Sequence, residues 1–412
     1  MAIPPAEMPP AKKENSPHHH HSFMFEIMRK FVIALVFAAF GLAAVAQQAL
    51  GERVEVASPT VNADGTVTFQ FYAPQAQCVK VVSSDIFPSA DHCADMVKAA
   101  DGVWSFTTGV LKPELYMYNF VVDGAKVTDP SNVYMIRDIA SVFSIFIVAG
   151  TQADLYRVND VPHGTVAKMW YDSPSLGMKR RITVYTPAGY ETSGKRYPVL
   201  YLLHGKGGDE EAWTSLGRAS QILDNLIAQG KAQPMIVVMT NGNASQEAAP
   251  GESHHGLLTP TFDLPKTMDG AFELAFPDVV KFVDSGFRTI ATKEGRAIAG
   301  LSMGGFHSFH ISKQFPDMFH YVGLFSAAIF REEGKAEIYS DIEKKLVAQF
   351  SHHPGLYYIA IGKDDFLYTD NVRLRAMLSS HHLPYEYVET DGGHIWRNWR
   401  IYLSQFACKI FR

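Results

Sequence analysis

Between Val54 and about Gly150 the chain alternates apolar and polar residues in short runs broken by turn dipeptides. Asp64-Gly65 precedes Thr66 to Tyr72, where Val67, Phe69 and Phe71 share one face and Thr66, Thr68 and Gln70 the other. Asp101-Gly102 precedes Val103 to Thr107, and Leu115 to Val122 runs into Asp123-Gly124. Period-two alternation with turn signals at this spacing predicts an all-β unit, a small sandwich over 50–150. Beyond Asp160 the pattern changes. Fully apolar, strand-length runs (Val199 to Leu203, Met235 to Thr240, Arg296 to Leu301, Tyr321 to Ser326, Leu356 to Gly362) alternate with helix-length amphipathic segments. Those segments are Ser220 to Gln229, Phe272 to Phe287 and the stretch after Ser302. Strands that are apolar on both faces and separated by helices predict a doubly wound, mostly parallel sheet over 165–412, with ligands at the carboxyl ends of its strands. Residues 151–164 read as the linker.

The first part of the chain follows a different grammar. Arg29 and Lys30 precede an apolar run from Phe31, and small residues at Ala44 and Ala46 follow, so residues 28–46 read as a secretory signal peptide cut after Ala46. The apolar stretch of about 16 residues is shorter than the ~20 that span a bilayer, so no stable membrane insertion is expected after cleavage. Residues 1–27, Pro-rich and carrying His18 to His21, read as a leader outside the native protein, with translation starting at Met24 or Met28, rather than as a metal site. Export makes a Cys78–Cys93 disulfide chemically feasible.

Composition narrows the function classes. With 47% hydrophobic and 19% charged residues in 412, the chain has enough apolar material for a sizeable core. Lys and Arg number 37 against 42 Asp and Glu, without a basic block, so nucleic acid is not an expected partner. Three cysteines without a C-x-x-C pair support neither a zinc ribbon nor a dithiol redox site.

The chemistry-bearing motif is Gly300-Leu301-Ser302-Met303-Gly304, a G-x-S-x-G between an apolar strand and a helix. A serine there sits on a sharp turn with its hydroxyl exposed at a helix N-terminus. Because a serine hydroxyl is a weak nucleophile at neutral pH, this reading requires a histidine base and a carboxylate, later in the chain and at strand ends. Asp364-Asp365 follows one apolar strand, and His394 follows another behind Gly392-Gly393. Either aspartate is placed to orient the base, whereas Asp391 reads as a turn residue. The oxyanion would be held by the Met303 N–H and by the glycine-rich loop His204-Gly205-Lys206-Gly207-Gly208. That loop lacks the G-K-[ST] of a phosphate-binding loop, and His204 reads as shaping it. Trp213 and Trp396 border the oxyanion loop and the base, where a flat acyl group would pack. The segment from Asn241 to Asp269 is expected to set pocket depth.

This combination resembles the family 1 carbohydrate esterases, the group holding feruloyl and acetylxylan esterases, over about Val161 to Arg412. The likeness rests on VYTPAGY (184–190), YLLHGKGGDEEAW (201–213), ILDNLIAQGKAQPMIVVMTNGNA (222–244), RAIAGLSMGG (296–305), GKDDFLY (362–368) and DGGHIWRNW (391–399). It implies an α/β-hydrolase fold and a triad of Ser302, Asp365 and His394. The acid falls on the last residue of a G-x-x-D pattern, Asp365. Lys206 departs from the glycine common in relatives and leaves the second oxyanion donor open between Gly205 and Lys206. Residues 58–74 and 101–124 are similar to the immunoglobulin-like N-domains of glycogen-branching enzymes, grouped with family 48 carbohydrate-binding modules. There Trp104, Tyr116 and Tyr118 either stack on a glycan or fill the core. The resemblance implies an exported serine carboxylesterase, periplasmic or extracellular, that removes feruloyl or acetyl groups from xylan and its oligosaccharides without metal or organic cofactor. An acyltransferase or peptidase with the same triad, or a non-catalytic glycan-binding protein, are the rival readings.

Overall fold

The computed structural model describes residues 54–331 and 336–412; the predicted leader and signal peptide lie outside them. Residues 56–412 form one compact unit.

Its first part is all-β. The strands are β1 (Thr60–Val61), β2 (Val67–Tyr72), β3 (Val79–Val82), β4 (Cys93–Asp95), β5 (Val97–Lys98), β6 (Val103–Thr107), β7 (Glu114–Val122), β8 (Ala125–Val127), β9 (Met135–Asp138) and β10 (Ser141–Val148). They form two antiparallel sheets, β1-β2-β6-β5 and β4-β3-β7-β10-β9, with β8 on β7. The predicted alternation sets the core: Val67 and Phe69 of one sheet meet Tyr118, Phe120 and Phe146 of the other. Tyr118 is fully buried, its hydroxyl donating to Asp129, and the Trp104 indole N–H donates to the Ala73 carbonyl. Both rings therefore serve the core, not a glycan. Cys93 pairs in register with Val82, four residues along β3 from the Cys78 end, so about 13 Å separates the cysteines and both thiols are free.

The second part carries an eight-stranded sheet: β11 (Thr165–Ser173), β12 (Met178–Thr186), β13 (Val199–Leu203), β14 (Ile236–Thr240), β15 (Arg296–Leu301), β16 (Tyr321–Phe325), β17 (Leu356–Gly362) and β18 (Glu386–Thr390). The order is β11-β12-β14-β13-β15-β16-β17-β18, antiparallel through β14 and parallel beyond. Its helices are α1 (Ala212–Ser215), α2 (Ala219–Ala228), α3 (Ala271–Gly286), α4 (Met303–Gln314), α5 (Ile342–Ser351), α6 (Tyr368–Ser380) and α7 (Trp396–Ala407). Alternate residues of one strand feed two cores. Val199, Tyr201 and Leu203 pack with α3 to α6, and Leu200 and Leu202 with α2 and α7. The chain steps from β13 to β14 on one side, then to β15 on the other, opening a crevice at the carboxyl ends of β13 and β15.

The stretch 151–164 is no loose tether. Ala153 and Tyr156 are fully buried in the same core as α2 and α7, and Asn225 donates to the Leu155 and Arg157 carbonyls. Across this seam the buried Arg400 of α7 pairs with Glu114 of β7 at 2.8 Å and donates to the Leu216 carbonyl.

Candidate active site

β15 ends at Leu301, and the next residue, Ser302, has φ 53° and ψ −114°, a conformation that is costly for any residue with a Cβ. Three backbone bonds hold it there. Ser302 N–H donates to the Phe325 carbonyl (2.8 Å), and its own carbonyl accepts from Phe306 (3.0 Å) and Ala328 (3.1 Å). The flanking glycines answer to close approach. A Cβ at Gly300 would lie 2.4 Å from the Gly304 carbonyl, and one at Gly304 would lie 2.4 Å from the Leu203 oxygen. The strand, the turn and the start of α4 pack backbone to backbone, which leaves Ser302 projecting into the crevice.

Of the two adjacent aspartates after β17, Asp364 is exposed and Asp365 is 4% exposed. The His394 Nδ1 lies 2.9 Å and 3.1 Å from the two Asp365 oxygens, one of which also accepts the Leu367 N–H at 2.9 Å. A carboxylate facing Nδ1 places the proton there and leaves Nε2 as the acceptor. The imidazole is wedged between Phe366 (4.6 Å) and Trp399 (4.9 Å, nearly perpendicular). Asp391 instead pairs with Lys363 at 3.0 Å at the surface. Ser302 and His394 line one cavity of about 810 Å³.

Met303 is the first residue of α4, so its N–H has no intrahelical acceptor. The glycine-rich loop lies against the serine. A Cβ at Gly205 would sit 2.5 Å from Leu301 Cδ1 and 3.4 Å from Ser302 Cβ. Gly208 N–H donates to the Gly205 carbonyl, closing a turn in which Gly207 has φ 79°. His204 fixes this loop from behind: Nδ1 donates to the Gly205 carbonyl (2.7 Å) and Nε2 accepts the Gly242 N–H (2.8 Å). Complete burial lowers its pKa to about 4 and keeps it neutral. The ammonium of Lys206 pairs with Asp263 (2.6 Å) and lies over Phe262, so the long cation engages the 241–269 segment.

The two tryptophans separate. Trp396 lines the cavity, whereas Trp213 is 1% exposed, lies outside the lining and donates its indole N–H to the Leu203 carbonyl at 2.8 Å. The expected acyl contact from Trp213 is thus replaced by support of the β13 end. Its position in sequence beside the glycine-rich loop suggested a place at the site, but within α1 its ring is buried against the β13 end. The opposite wall is built by the all-β part, through Tyr116, Met117, Arg137, Asp138 and Ile139; of these, only Tyr116 was singled out from the sequence, as a ring for a glycan or for the core. No local signal marks any of them as cavity lining, because alternation along a strand says which face is covered and not by what. At the surface, Glu247, His254 and His255 bring one ligand atom each within 4.8 Å of one another, the only such potential metal-binding group among the described residues.

A family model described as "Putative esterase" matches residues 173–409. The chain is 35% identical over 285 residues to the endo-1,4-beta-xylanase/feruloyl esterase of Xylanibacter ruminicola; the match takes in 67% of this chain and 37% of that protein, so the chain spans little more than a third of its relative. A ferulic acid esterase structure from the anaerobic fungus Anaeromyces mucronatus is similar with a TM-score of 0.50 at 25% identity, over 63% of this chain and 95% of that one. The enterobactin esterase of Shigella flexneri aligns with a TM-score of 0.60 at 19% identity, over 83% of this chain and 92% of that one. That similarity concerns the fold alone, and its span reaches beyond the α/β part into the all-β part.

Proposed function

Because the chain belongs to this esterase family, we propose that it is a serine carboxylic ester hydrolase acting on feruloyl or acetyl esters of xylan and its oligosaccharides. One observation carries the mechanism: a histidine oriented by a buried carboxylate opens onto the same cavity as a serine held in a strained turn. In this reading His394 Nε2 takes the Ser302 hydroxyl proton as Oγ attacks the ester carbonyl. Asp365 holds the tautomer and stabilises the imidazolium. The tetrahedral oxyanion is held by the Met303 N–H and by an N–H of the Gly205-Lys206 turn, each donor lowering the barrier by on the order of 3 kcal/mol. His394 then returns the proton to the sugar oxygen, which leaves. Water, deprotonated by the same histidine, releases the acid from Ser302.

Supporting the xylan-linked substrate are the name of the Xylanibacter relative and the ferulic acid esterase fold. The cavity is large enough for a phenolic acyl group. The α/β-hydrolase layout, the relation of the all-β part to family 48 modules and export to the periplasm or medium belong to the same proposal. The test is release of ferulate and acetate from feruloylated, acetylated arabinoxylan oligosaccharides, both acids quantified together, with Ser302→Ala as control. The parent releases one or both acids, and Ser302→Ala loses three or more orders of magnitude while keeping its fold. Substantial turnover by the variant refutes the nucleophile.

A further inference from the structure

β9 and β10 are joined by a two-residue turn, Ile139-Ala140, with Asp138 paired to Ser141. Ile139 has φ 51°. In two-residue hairpins a positive φ at the first central position is ordinarily met by glycine, and for a β-branched residue it is a strained outlier. The strain coincides with a contact to the oxyanion loop. The site a Cβ would occupy on Gly207 lies 2.8 Å from Ile139 Cγ1 and 2.9 Å from its Cδ1, so this side chain covers the positive-φ glycine of the loop turn. Two residues back, Arg137 donates to the Ile139 carbonyl (3.1 Å), stiffening the hairpin turn. It also pairs at 2.5 Å with Asp209, whose side chain is 3% exposed and which ends the same loop.

We infer that the β9–β10 turn is a positioning element for the oxyanion loop: Ile139 and Arg137 hold 204–209 in the conformation that presents its N–H groups beside Ser302. This rests on the esterase reading above and assigns to the all-β part a share in catalysis distinct from binding sugar. Neither side chain touches the ester carbonyl in this role; they act through Gly207 and Asp209. Removing Ile139 frees one face of a turn whose central residues are Lys206 and Gly207. Removing Arg137 leaves the Asp209 carboxylate buried without its cation.

The decisive variant is Ile139→Gly, because glycine suits the strained φ and relieves the hairpin turn while deleting the contact. A purely structural role predicts unchanged or higher stability with unchanged turnover. The positioning role predicts that kcat on methyl ferulate falls about tenfold or more with KM within twofold and the melting temperature no lower. It also predicts that amide hydrogen exchange in 203–209 accelerates and that Ile139→Val restores both. Arg137→Ala shows the same fall in kcat with KM little changed and the same faster exchange, here with a lower melting temperature because Asp209 loses its cation, partly rescued by Arg137→Lys. Unchanged exchange in 203–209 for Ile139→Gly overturns the proposal whatever the kinetics. Faster exchange with kcat within twofold of the parent, while Ser302→Ala is inactive, overturns the catalytic part and leaves the esterase reading standing. Activity retained by Ser302→Ala defeats the esterase reading itself, and the exchange readout keeps that failure separate.

Discussion

Two carboxylate–imidazole pairs are built with the same bond length in different surroundings. His394 meets Asp365 at 2.9 Å, and His307, one turn into the helix, meets Glu273 at 2.9 Å, with the Tyr339 hydroxyl donating to the same oxygen at 3.0 Å. Their surroundings differ. The His394 side chain is 19% exposed and faces the cavity that holds Ser302, whereas His307 and Glu273 are both fully buried. Among the described residues, His307 Nε2 and the second Glu273 oxygen have no hydrogen-bond partner. A hydrogen-bonded carboxylate and imidazole therefore do not by themselves make a base; on the proposed reading, what distinguishes His394 is the cavity it shares with Ser302. The sealed pair ties α3 to α4 and reports on folding.

The largest expected effect follows from this contrast. Asp365→Asn should reduce kcat by about 10⁴-fold in a folded protein, because an amide no longer enforces the Nδ1–H tautomer. His307→Phe should leave kcat near the parent value and lower the unfolding free energy by about 3 kcal/mol, since Glu273 would remain buried with Tyr339 as its only donor. Steady-state kinetics beside urea denaturation separates the two. The comparison breaks if His307→Phe abolishes turnover while folded, or if Asp365→Asn is benign.

The two pairs were not equally visible in the sequence. Ser302 and His394 stood out because strand, glycine turn and helix are local patterns, and the glycines at 300 and 304 are demanded by contacts within a few residues or with the adjacent strand end. The choice of Asp365 over Asp364 came from family resemblance, since adjacent residues differ only in which way the turn faces them. The Glu273–His307–Tyr339 cluster joins three separate segments and left no pattern. The same limit explains the walls. Tyr116 was legible only as a ring for a glycan or for the core, and nothing singled out Met117 or Arg137 to Ile139, yet the seam places all of them on the cavity that holds the serine. The buried Ala153 and Tyr156, in a stretch read as a linker, show that a short irregular segment can be core when its apolar residues meet two helices. The long antiparallel pair β11–β12 was likewise missed, its polar, partly exposed outer strand lacking an apolar run.

A third imidazole sharpens the comparison through pH. His204 is buried with both nitrogens engaged, and its pKa falls from 6.5 to about 4. The unfolded chain binds this proton where the native one does not, so its contribution to stability is present above about pH 6.5 and is lost as pH falls toward 4. The slope is about 1.4 kcal/mol per unit. Between pH 7 and pH 4.5 the parent should lose about 2 to 3 kcal/mol more than His204→Asn, measured as the difference in unfolding free energy from urea titrations. Equal losses would mean that His204 is not held neutral by burial.

The smallest effect concerns the tryptophans, which repeat the sealed-and-open contrast. Trp213 and Trp396 meet edge to face at 5.4 Å, but only Trp396 borders the cavity. A ring at the cavity wall adds about 1 kcal/mol by packing against an aromatic acyl group and has little to offer a two-carbon one. Trp396→Ala should therefore raise KM for methyl ferulate by about fivefold with kcat little changed, and leave 4-nitrophenyl acetate kinetics within twofold. Trp396 is also the first residue of α7, directly after His394-Ile395, so a second route to lost activity exists through the helix start. The two substrates discriminate. A KM effect confined to the ferulate ester marks an acyl-packing surface, whereas an equal fall in kcat on both esters means that Trp396, like Trp213, serves the framework that holds the base.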